Sequence, residues 1–586
     1  MSDVLDQARA FQEEDPDPAT RAELEAVLVR AQAGDASALA DLRERFTGGL
    51  TFGTAGLRGR VEAGVSRMNR VAVMKATHGL GSWLLAEPGQ DARTRGVVVG
   101  FDGRYSSRQF AEDTAAVLAG LGIPALVFPD PVPTPLCSFA VPALRAAAGV
   151  MVTASHNPAG DNGYKVYRET GGQILPPVDG DIAARMASAP RVPDIARLTP
   201  PIAAAAGLRR FVGDEIEAAY LDGLAKGALH AKDATPLRIV YTAMHGVGHR
   251  LLARALRQAG FDGVAAEPAQ TDPDGAFRTV AFPNPEEKGA MDRALALAEE
   301  VSAELVLAND PDADRLAVAV PAPGGQGYRM LSGNEIGVLL ADDALAYADT
   351  GERPKLVLTT IVSSTLLSRM AKDRGAFYGE TLTGFKWIGD AAIRGEAVGQ
   401  AFVFGYEEAL GYTVGPLVRD KDGIGAALRM AELVRFLKGQ GKNLLGRLDE
   451  LLVTHGMSHQ VQWSLTLQGT DGRARIAAVM AALRQSPPEH IGDSPVARVL
   501  DAERGEERTS EGTRPSPLPC ADVLAYYAQD GARLIVRPSG TEPKIKFYLE
   551  LVGRAANADE VATVRAALDG RGAAIKAALL ARLGLA

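Results

Sequence analysis

The sequence predicts an α/β protein of four domains, three related mixed α/β units followed by a smaller α+β domain. Three observations carry this. The 586 residues far exceed one hydrophobic core, since a domain takes roughly 100–200 residues. Short apolar strands alternate with helical patterns, the signature of parallel or mixed α/β sheets. The strand–loop–helix unit recurs at spacings of more than about a hundred residues, too long for a solenoid repeat of roughly 20–50.

The chain opens with a helical pattern that Asp15-Pro16-Asp17-Pro18 interrupts, and Thr20 is expected to cap a second helix reaching Ala33. The first α/β unit has a strand at Gly96–Phe101, a helix at Gln109–Gly120 and a strand at Ala125–Phe128. The second has a strand at Leu237–Thr242 and a helix at Gly248–Ala259. The third has a strand at Lys355–Thr360 and a helix at Ser364–Arg374. The last ~135 residues break the pattern. A polar, Pro- and charge-rich stretch, Gln485–Pro519, is expected to be a mobile insertion without fixed structure. Strands at Arg533–Val536 and Lys544–Val552 and a helix-rich tail follow. The expected domains are 1–205, 206–322, 323–450 and 451–586.

Composition excludes several classes. A formal charge of −9 argues against a dedicated nucleic-acid binder, so an anionic ligand would need a local basic pocket. Two cysteines, Cys137 and Cys520, make neither a disulfide framework nor a zinc site and fit a reducing cytosol. The acidic N-terminus lacks the apolar stretch of a signal peptide, and no apolar run reaches the ~18–20 residues of a membrane span. A cytoplasmic enzyme without membrane or nucleic-acid partners, monomeric or homodimeric, is the expectation.

Two segments carry the chemistry. Thr153-Ala154-Ser155-His156-Asn157-Pro158 follows the strand-like Gly149–Thr153 and precedes the turn signal Gly160-Asp161-Asn162-Gly163. Ser155 therefore stands on a loop at a strand end, a frequent place for chemistry in open α/β sheets. Alone, the segment reads equally well as a hydrogen-bonded turn. A serine hydrolase is disfavoured, because no G-x-S-x-G elbow surrounds Ser155. In extended backbone, His156 would also point to the opposite face.

The second segment is Asn309-Asp310-Pro311-Asp312-Ala313-Asp314-Arg315, between strand-like Leu305–Ala308 and Leu316–Val320. In extended backbone Asp310, Asp312 and Asp314 share a face. Converging carboxylates repel unless a cation neutralises them, and oxygen ligands select a hard ion such as Mg²⁺. An EF-hand is excluded: Arg315 stands where its glycine belongs, and Pro321 where its bidentate glutamate belongs. A phosphorylated Ser155 would supply the remaining oxygen ligand.

Weaker signals lie elsewhere. Arg537-Pro538-Ser539-Gly540-Thr541-Glu542 offers a guanidinium, two hydroxyls and a free glycine N–H to a phosphate, with Lys544 and Lys546 nearby. Thr51–Arg60 is Gly-rich with two arginines. Thr383-Gly384-Phe385-Lys386-Trp387 follows a strand. Glu407-Glu408, flanked by Tyr406 and Tyr412 after a strand at Gln400–Phe404, suits sugar hydroxyls.

In chain order, GTAGLRG (53–59), TASHNP (153–158), DPDADR (310–315), TGFKWIG (383–389), GYEEALGY (405–412) and RPSGTEP (537–543) resemble the α-D-phosphohexomutase superfamily. Within it, the chain is similar to the longer, phosphoglucomutase-2-like phosphoglucomutase/phosphomannomutase enzymes. The resemblance spans nearly the whole chain and implies four domains around a central cleft, the fourth binding phosphate. It implies that Ser155 is the phosphoserine and that Asp310, Asp312 and Asp314, with Ser155, hold Mg²⁺. Arg58, His156, Lys165 and Arg315 would line the phosphotransfer site. Thr383, Gly384, Lys386, Glu407 and Glu408 would read the sugar, and Arg537, Ser539, Gly540 and Thr541 would hold the non-reacting phosphate.

The implied activity is phosphoglucomutase, turning glucose 1-phosphate into glucose 6-phosphate, with glucose 1,6-bisphosphate as intermediate and activator. Phosphopentomutase, phosphomannomutase and sugar-bisphosphate synthase are alternatives, because Ala409 stands where hexose-phosphate enzymes often carry serine. Lys165 is the first candidate for general base, if burial and nearby cations lower its pKa, and His156 the second.

Overall fold

The computed structural model describes residues 2–53, 56–87, 91–467, 472–539 and 544–585. The chain forms two compact units: residues 1–336, 385–394 and 410–436 make the first, and 337–384, 395–409 and 437–586 the second.

In the first unit the strands β1 (Leu57–Arg60), β2 (Val97–Phe101), β3 (Ala125–Val127), β4 (Ala148–Val152), β5 (Asp161–Arg168) and β6 (Arg209–Phe211) build one sheet in the order β1-β5-β4-β2-β3-β6. Neighbours among β2, β3, β4 and β6 are parallel, while β5 runs antiparallel to both β4 and β1. Every residue of β2 and β4 is buried, as expected of central parallel strands covered on both faces. Val97 and Val99 of β2 and Val150 and Val152 of β4 lie in a core with Leu80, Trp83, Phe110 and Leu118 from two helices, Arg70–Ala86 and Ser107–Gly120. Each such side chain contributes about 1.5–3 kcal/mol on burial. Asn69 caps the first helix by accepting the Ala72 N–H at 2.9 Å.

The N-terminal helices Ser2–Glu14, Pro18–Gln32 and Ala36–Phe46 form a second core through Leu24, Leu28, Leu42 and Phe46, shared with Val71, Met74 and Val117. The second helix is capped by Asp17 and not by Thr20. Pro18 supplies a pre-set first helical residue, and Asp17 accepts the Ala19 N–H at 2.9 Å. Thr20 donates instead to Asp15 at 2.5 Å.

The strands β7 (Ile239–Thr242), β8 (Val264–Ala266), β9 (Leu305–Ala308), β10 (Ala317–Pro321) and β11 (Tyr328–Met330) form a second sheet, β11-β10-β9-β7-β8. β7 is parallel to β8 and β9, and β10 turns back antiparallel on β9. The antiparallel turns after β4 and after β9 are the two places where the candidate chemistry sits.

In the second unit β12 (Lys355–Thr360) lies between β13 (Phe377–Thr381) and β14 (Ala401–Glu407), all parallel. A further strand, β15 (Gly411–Val414), belongs to the first unit. The C-terminal part of the second unit contains β16 (Met457–Thr466), β17 (His490–Ile491), β18 (Ser494–Asp501), β19 (Glu506–Thr509), β20 (Gly512–Pro515), β21 (Leu524–Ala528), β22 (Arg533–Pro538) and β23 (Lys544–Gly553). They form an antiparallel sheet ordered β16-β23-β22-β21-β18-β19-β20, with β17 on β18.

The stretch 485–519 is thus not an unstructured insertion. It supplies β17 to β20, a meander that buries Ile491 and Leu500 together with Asp501 and Glu507. The tail is a helix, Ala558–Arg582, capped by Asn557, which accepts the Glu560 N–H at 3.3 Å. Among the described residues no helix is long and apolar enough to cross a membrane.

Candidate active site

β4 delivers the serine turn. The Thr153 hydroxyl accepts the Ser155 N–H at 2.8 Å, and Ser155 adopts a left-handed backbone, φ 51°. That conformation is rare for a non-glycine residue and marks a site over-determined by its surroundings. It also overturns the expectation that His156 points away. The backbone here is not extended, and His156 Nδ1 lies 3.2 Å from Ser155 Oγ. Ser155 Oγ donates to Asp310 Oδ2 at 2.6 Å.

The turn is held from beneath by Arg104, a residue the motif reading misses. It is nearly fully buried. Its Nη2 donates to the carbonyls of Ser155 and Asn157, both at 2.6 Å, and its Nη1 to those of Pro158 at 2.7 Å and Asp161 at 2.9 Å. Nε faces Asp102 at 3.2 Å, and the guanidinium covers the Phe277 ring at 4.9 Å. The available signal is position: Asp102-Gly103-Arg104 follows the C-terminal end of β2, where open α/β sheets carry function.

The three aspartates do converge, though not by strand alternation. Ala313 has φ 55° and its N–H donates to the Asp310 carbonyl at 2.8 Å, so the segment is a tight turn. Asn309 spans it, donating to the Arg315 carbonyl at 2.6 Å while accepting from Tyr241 at 2.8 Å. Gly246 lets another backbone press against it: a Cβ there would lie 2.3 Å from Pro311 Cα. The carboxylates of Asp310, Asp312 and Asp314 are all buried, and each offers an oxygen within 4.8 Å of the others.

Lys165, on β5, is fully buried and its Nζ lies 2.8 Å from both Asp312 Oδ2 and Asp314 Oδ2. Thr134 donates to Asp312 Oδ2 at 2.7 Å, and Lys421 lies 3.3 Å from Asp314. These partners divide the triad electrostatically. Burial, then the charges of Asp312 and Asp314, push the Asp310 carboxyl well above its usual range. Burial and the Asp314 charge oppose ionisation of Asp312, but Lys165 and Thr134 outweigh them and hold it below its ordinary value. Asp314, buried too, is held low by Lys165, Lys421 and Arg315.

For Lys165 the expectation of a lowered pKa is corrected. Burial does work against its ammonium, yet Asp312 and Asp314 hold it above the ordinary lysine value. His156 goes the other way: burial, then Arg315 and Arg58, push its imidazole well below the usual range, so it is neutral at pH 7.

The residues fit a hard divalent cation. The donor set is all oxygen. Asp312 Oδ1 and Asp314 Oδ1 are buried without a hydrogen-bond partner among the described residues. Burial, and then the adjacent Asp312 and Asp314 charges, raises the Asp310 carboxyl, a cost that a divalent cation would offset.

Arg58, on β1, borders this cluster. Burial works against its guanidinium charge while Asp312 and Asp314 favour it, and its Nη1 lies 3.5 Å from Asn157 Oδ1. Arg315 donates its N–H to Asp310 Oδ1 at 3.0 Å and pairs with Glu286 at 3.5 Å. The first unit therefore brings together Ser155, His156, Lys165, Arg58, Arg315 and the three aspartates. Lys386 is engaged elsewhere in that unit, 3.6 Å from Asp179 and 3.4 Å from the Gly53 carbonyl.

In the second unit Glu407 is the last residue of β14, and its Oε1 accepts the Gly384 N–H at 2.6 Å. Thr383 is part-buried beside Gly384. Glu408 Oε2 lies 3.3 Å from the hydroxyls of both Thr360 and Ser363. Burial, then Glu407, push the Glu408 carboxyl up to about 7, against the attraction of Lys546 and Arg537. Arg537 lies on β22 itself and its Nη1 contacts the Tyr548 hydroxyl at 3.4 Å, while the Ser539 N–H donates to the Lys544 carbonyl at 2.7 Å. Gly540 and Thr541, like Thr54 and Ala55 of the Gly-rich segment, lie outside the described residues.

Family models match along the chain in order: the phosphoglucomutase/phosphomannomutase alpha/beta/alpha domains I at 49–191, II at 218–325 and III at 332–453, and the C-terminal domain at 474–567. A Haemophilus influenzae protein named "Probable phosphomannomutase" is 42% identical over 493 residues, covering 83% of this chain and 93% of that one. The Homo sapiens phosphopentomutase is 36% identical over 551 residues, covering 89% and 87%. The solved structure of a phosphoglucomutase/phosphomannomutase family protein from Burkholderia thailandensis shares the fold, with a TM-score of 0.63 at 19% identity, covering 89% of this chain and 97% of that one.

Proposed function

The chain belongs to the phosphoglucomutase/phosphomannomutase family of intramolecular phosphotransferases, and from that premise we propose that it converts glucose 1-phosphate to glucose 6-phosphate through phosphorylated Ser155. The observation that carries this reading is the 2.6 Å contact of Ser155 Oγ with Asp310 inside a buried carboxylate triad.

In the proposed cycle Ser155 begins phosphorylated. A free hydroxyl of the sugar monophosphate attacks phosphorus, its P–O bond forms as the bond to Ser155 Oγ breaks, and a sugar 1,6-bisphosphate results. The bisphosphate turns over and returns its other phosphoryl group to Ser155. Asp310, Asp312 and Asp314 would hold Mg²⁺ together with a phosphoryl oxygen on Ser155, and the ion would neutralise charge on the transferring group. Arg58 and Arg315 add positive charge on the same side.

The proton lost by the attacking hydroxyl must end on Ser155 Oγ as the bond from that oxygen to phosphorus breaks. His156, neutral and with Nδ1 3.2 Å from Ser155 Oγ, would exchange a proton with that oxygen, taking it up when Ser155 attacks the bisphosphate in the return half. Lys165, salt-bridged to two aspartates, acts as a counter-charge that keeps Asp312 and Asp314 ionised. Glu407 and Glu408 would accept hydrogen bonds from the sugar. Arg537, Ser539, Gly540 and Thr541 would grip the phosphate that is not transferred.

A second reading, phosphopentomutase by the same chemistry, is favoured by Ala409. Its methyl group cannot bond a hydroxyl, and the human phosphopentomutase is among the relatives. The deciding experiment is a parallel assay with Mg²⁺ and a trace of sugar 1,6-bisphosphate on glucose, mannose, ribose and deoxyribose 1-phosphates. Fastest turnover of glucose 1-phosphate supports the proposal. Fastest turnover of a pentose or of mannose replaces it with that mutase, and accumulation of bisphosphate without isomerisation replaces it with a synthase.

A further inference from the structure

Glu408 is not a free surface carboxylate. Its Oε2 lies 3.3 Å from both Ser363 Oγ and Thr360 Oγ1, and its own N–H donates to Ser363 Oγ at 3.1 Å. The two hydroxyls also lie 2.8 Å apart, so one of them bonds the other while the second donates to Glu408. They come from the end of β12 and the turn after it, so the hydroxyls around this carboxylate are supplied by a neighbouring strand, while the loop itself carries Ala409.

Ser363 is in turn pinned. Its carbonyl accepts from Arg533 Nη2, and Arg533 is 2% exposed. The other arms of Arg533 reach Glu550, directly opposite on β23, and Glu380 at 3.4 Å. Glu550 accepts the Thr365 N–H at 2.8 Å and the Ser458 hydroxyl. The turn 363–365 is therefore held at both ends by one buried ion pair. Stability alone does not call for such a pair, because a buried ion pair contributes no more than well-packed apolar side chains of similar volume. What an arginine adds is direction, through several donors in a fixed fork.

We propose that Ser363 and Arg533 are positioning residues for substrate discrimination: Arg533 fixes the Ser363 turn, and Ser363 fixes the Glu408 carboxylate against the sugar. This rests on the reading that Glu408 contacts the sugar, and the test separates the two. The kcat/KM ratio for glucose 1-phosphate over ribose 1-phosphate is measured for Glu408→Gln, Ser363→Ala, Arg533→Lys and the Ser363→Ala/Glu408→Gln double variant. Ser363→Ala keeps the carbonyl that Arg533 grips, so it remains informative even where Arg533→Lys fails to fold.

Each single change is expected to move the ratio by about fivefold or more, with the double variant no further from wild type than Glu408→Gln alone. A uniform loss of activity on both sugars, with the ratio unchanged in Ser363→Ala and Arg533→Lys but shifted in Glu408→Gln, overturns the positioning role and leaves Glu408 as a sugar contact. An unchanged ratio in Glu408→Gln itself overturns the sugar contact, and the positioning role with it.

Discussion

Ser155 Oγ and Asp310 Oδ2 stand 2.6 Å apart across 155 residues of chain. The turn after β4 and the turn after β9 each present their key side chain through a left-handed residue, Ser155 itself and Ala313. The nucleophile candidate and the metal candidate are thus fixed by backbone geometry before any ligand arrives, and charge stabilisation at the reacting oxygen needs no large rearrangement within this unit.

Ser155→Ala should abolish mutase turnover by about three orders of magnitude or more while leaving the melting temperature close to that of the parent protein. The parent should take up one phosphoryl group on incubation with glucose 1,6-bisphosphate, seen by intact mass, and the variant none. Retained turnover in a folded variant would end the phosphoserine reading.

Lys165→Met separates a counter-charge from a base. Removing the ammonium leaves Asp312 and Asp314 buried with weaker compensation, which costs about 3–5 kcal/mol for a broken buried pair. The variant should melt several degrees lower in a chelator, and Mg²⁺ should raise its melting temperature more than it raises that of the parent. Equal Mg²⁺ shifts would mean that Lys165 does not balance the triad.

Arg537→Ala should raise KM by about tenfold or more, as expected for losing a charge-assisted phosphate contact, with a smaller effect on kcat. An unchanged KM in a folded variant would remove Arg537 from substrate binding.

Much of this architecture is legible in the chain. β2, β4, β7 and β9 are largely apolar runs, as is the Leu356–Leu358 centre of β12, because parallel strands are buried on both faces, and such runs need no partner to be recognised. The candidate residues are legible as types, since three aspartates in five residues or an arginine before Pro-Ser-Gly have few other uses. Their geometry is not legible. Non-glycine residues with positive φ have weak sequence signals, so Ser155 and Ala313 read as extended, and the Ser155–His156 contact is lost with them. The environment of Lys165 depends on aspartates far along the chain, and only tertiary structure decides whether burial or ion pairing sets its protonation. In 485–519, β19 is Glu-Glu-Arg-Thr and β20 is Gly-Thr-Arg-Pro, strands with no apolar alternation and too polar to read as ordered.

Glu408 makes the stability of the protein depend on pH in a specific direction. Its carboxyl is raised from 4.5 to about 7 by burial and then by Glu407. Between those values the folded state holds a proton that the unfolded state has released, so stability falls as pH rises through this window. The contribution is fully retained below the unfolded value and lost above the folded one. Glu408→Gln keeps an acceptor for Thr360 and Ser363 but cannot ionise. Against the parent protein it should therefore be nearly neutral at pH 5 and stabilising at pH 8, by about 1–2 kcal/mol once partial solvent screening is allowed for. Melting curves of both proteins from pH 5 to 8 check this. A difference that does not grow with pH would mean that Glu408 ionises as an ordinary surface carboxylate, and that its hydroxyl partners do not isolate it from water.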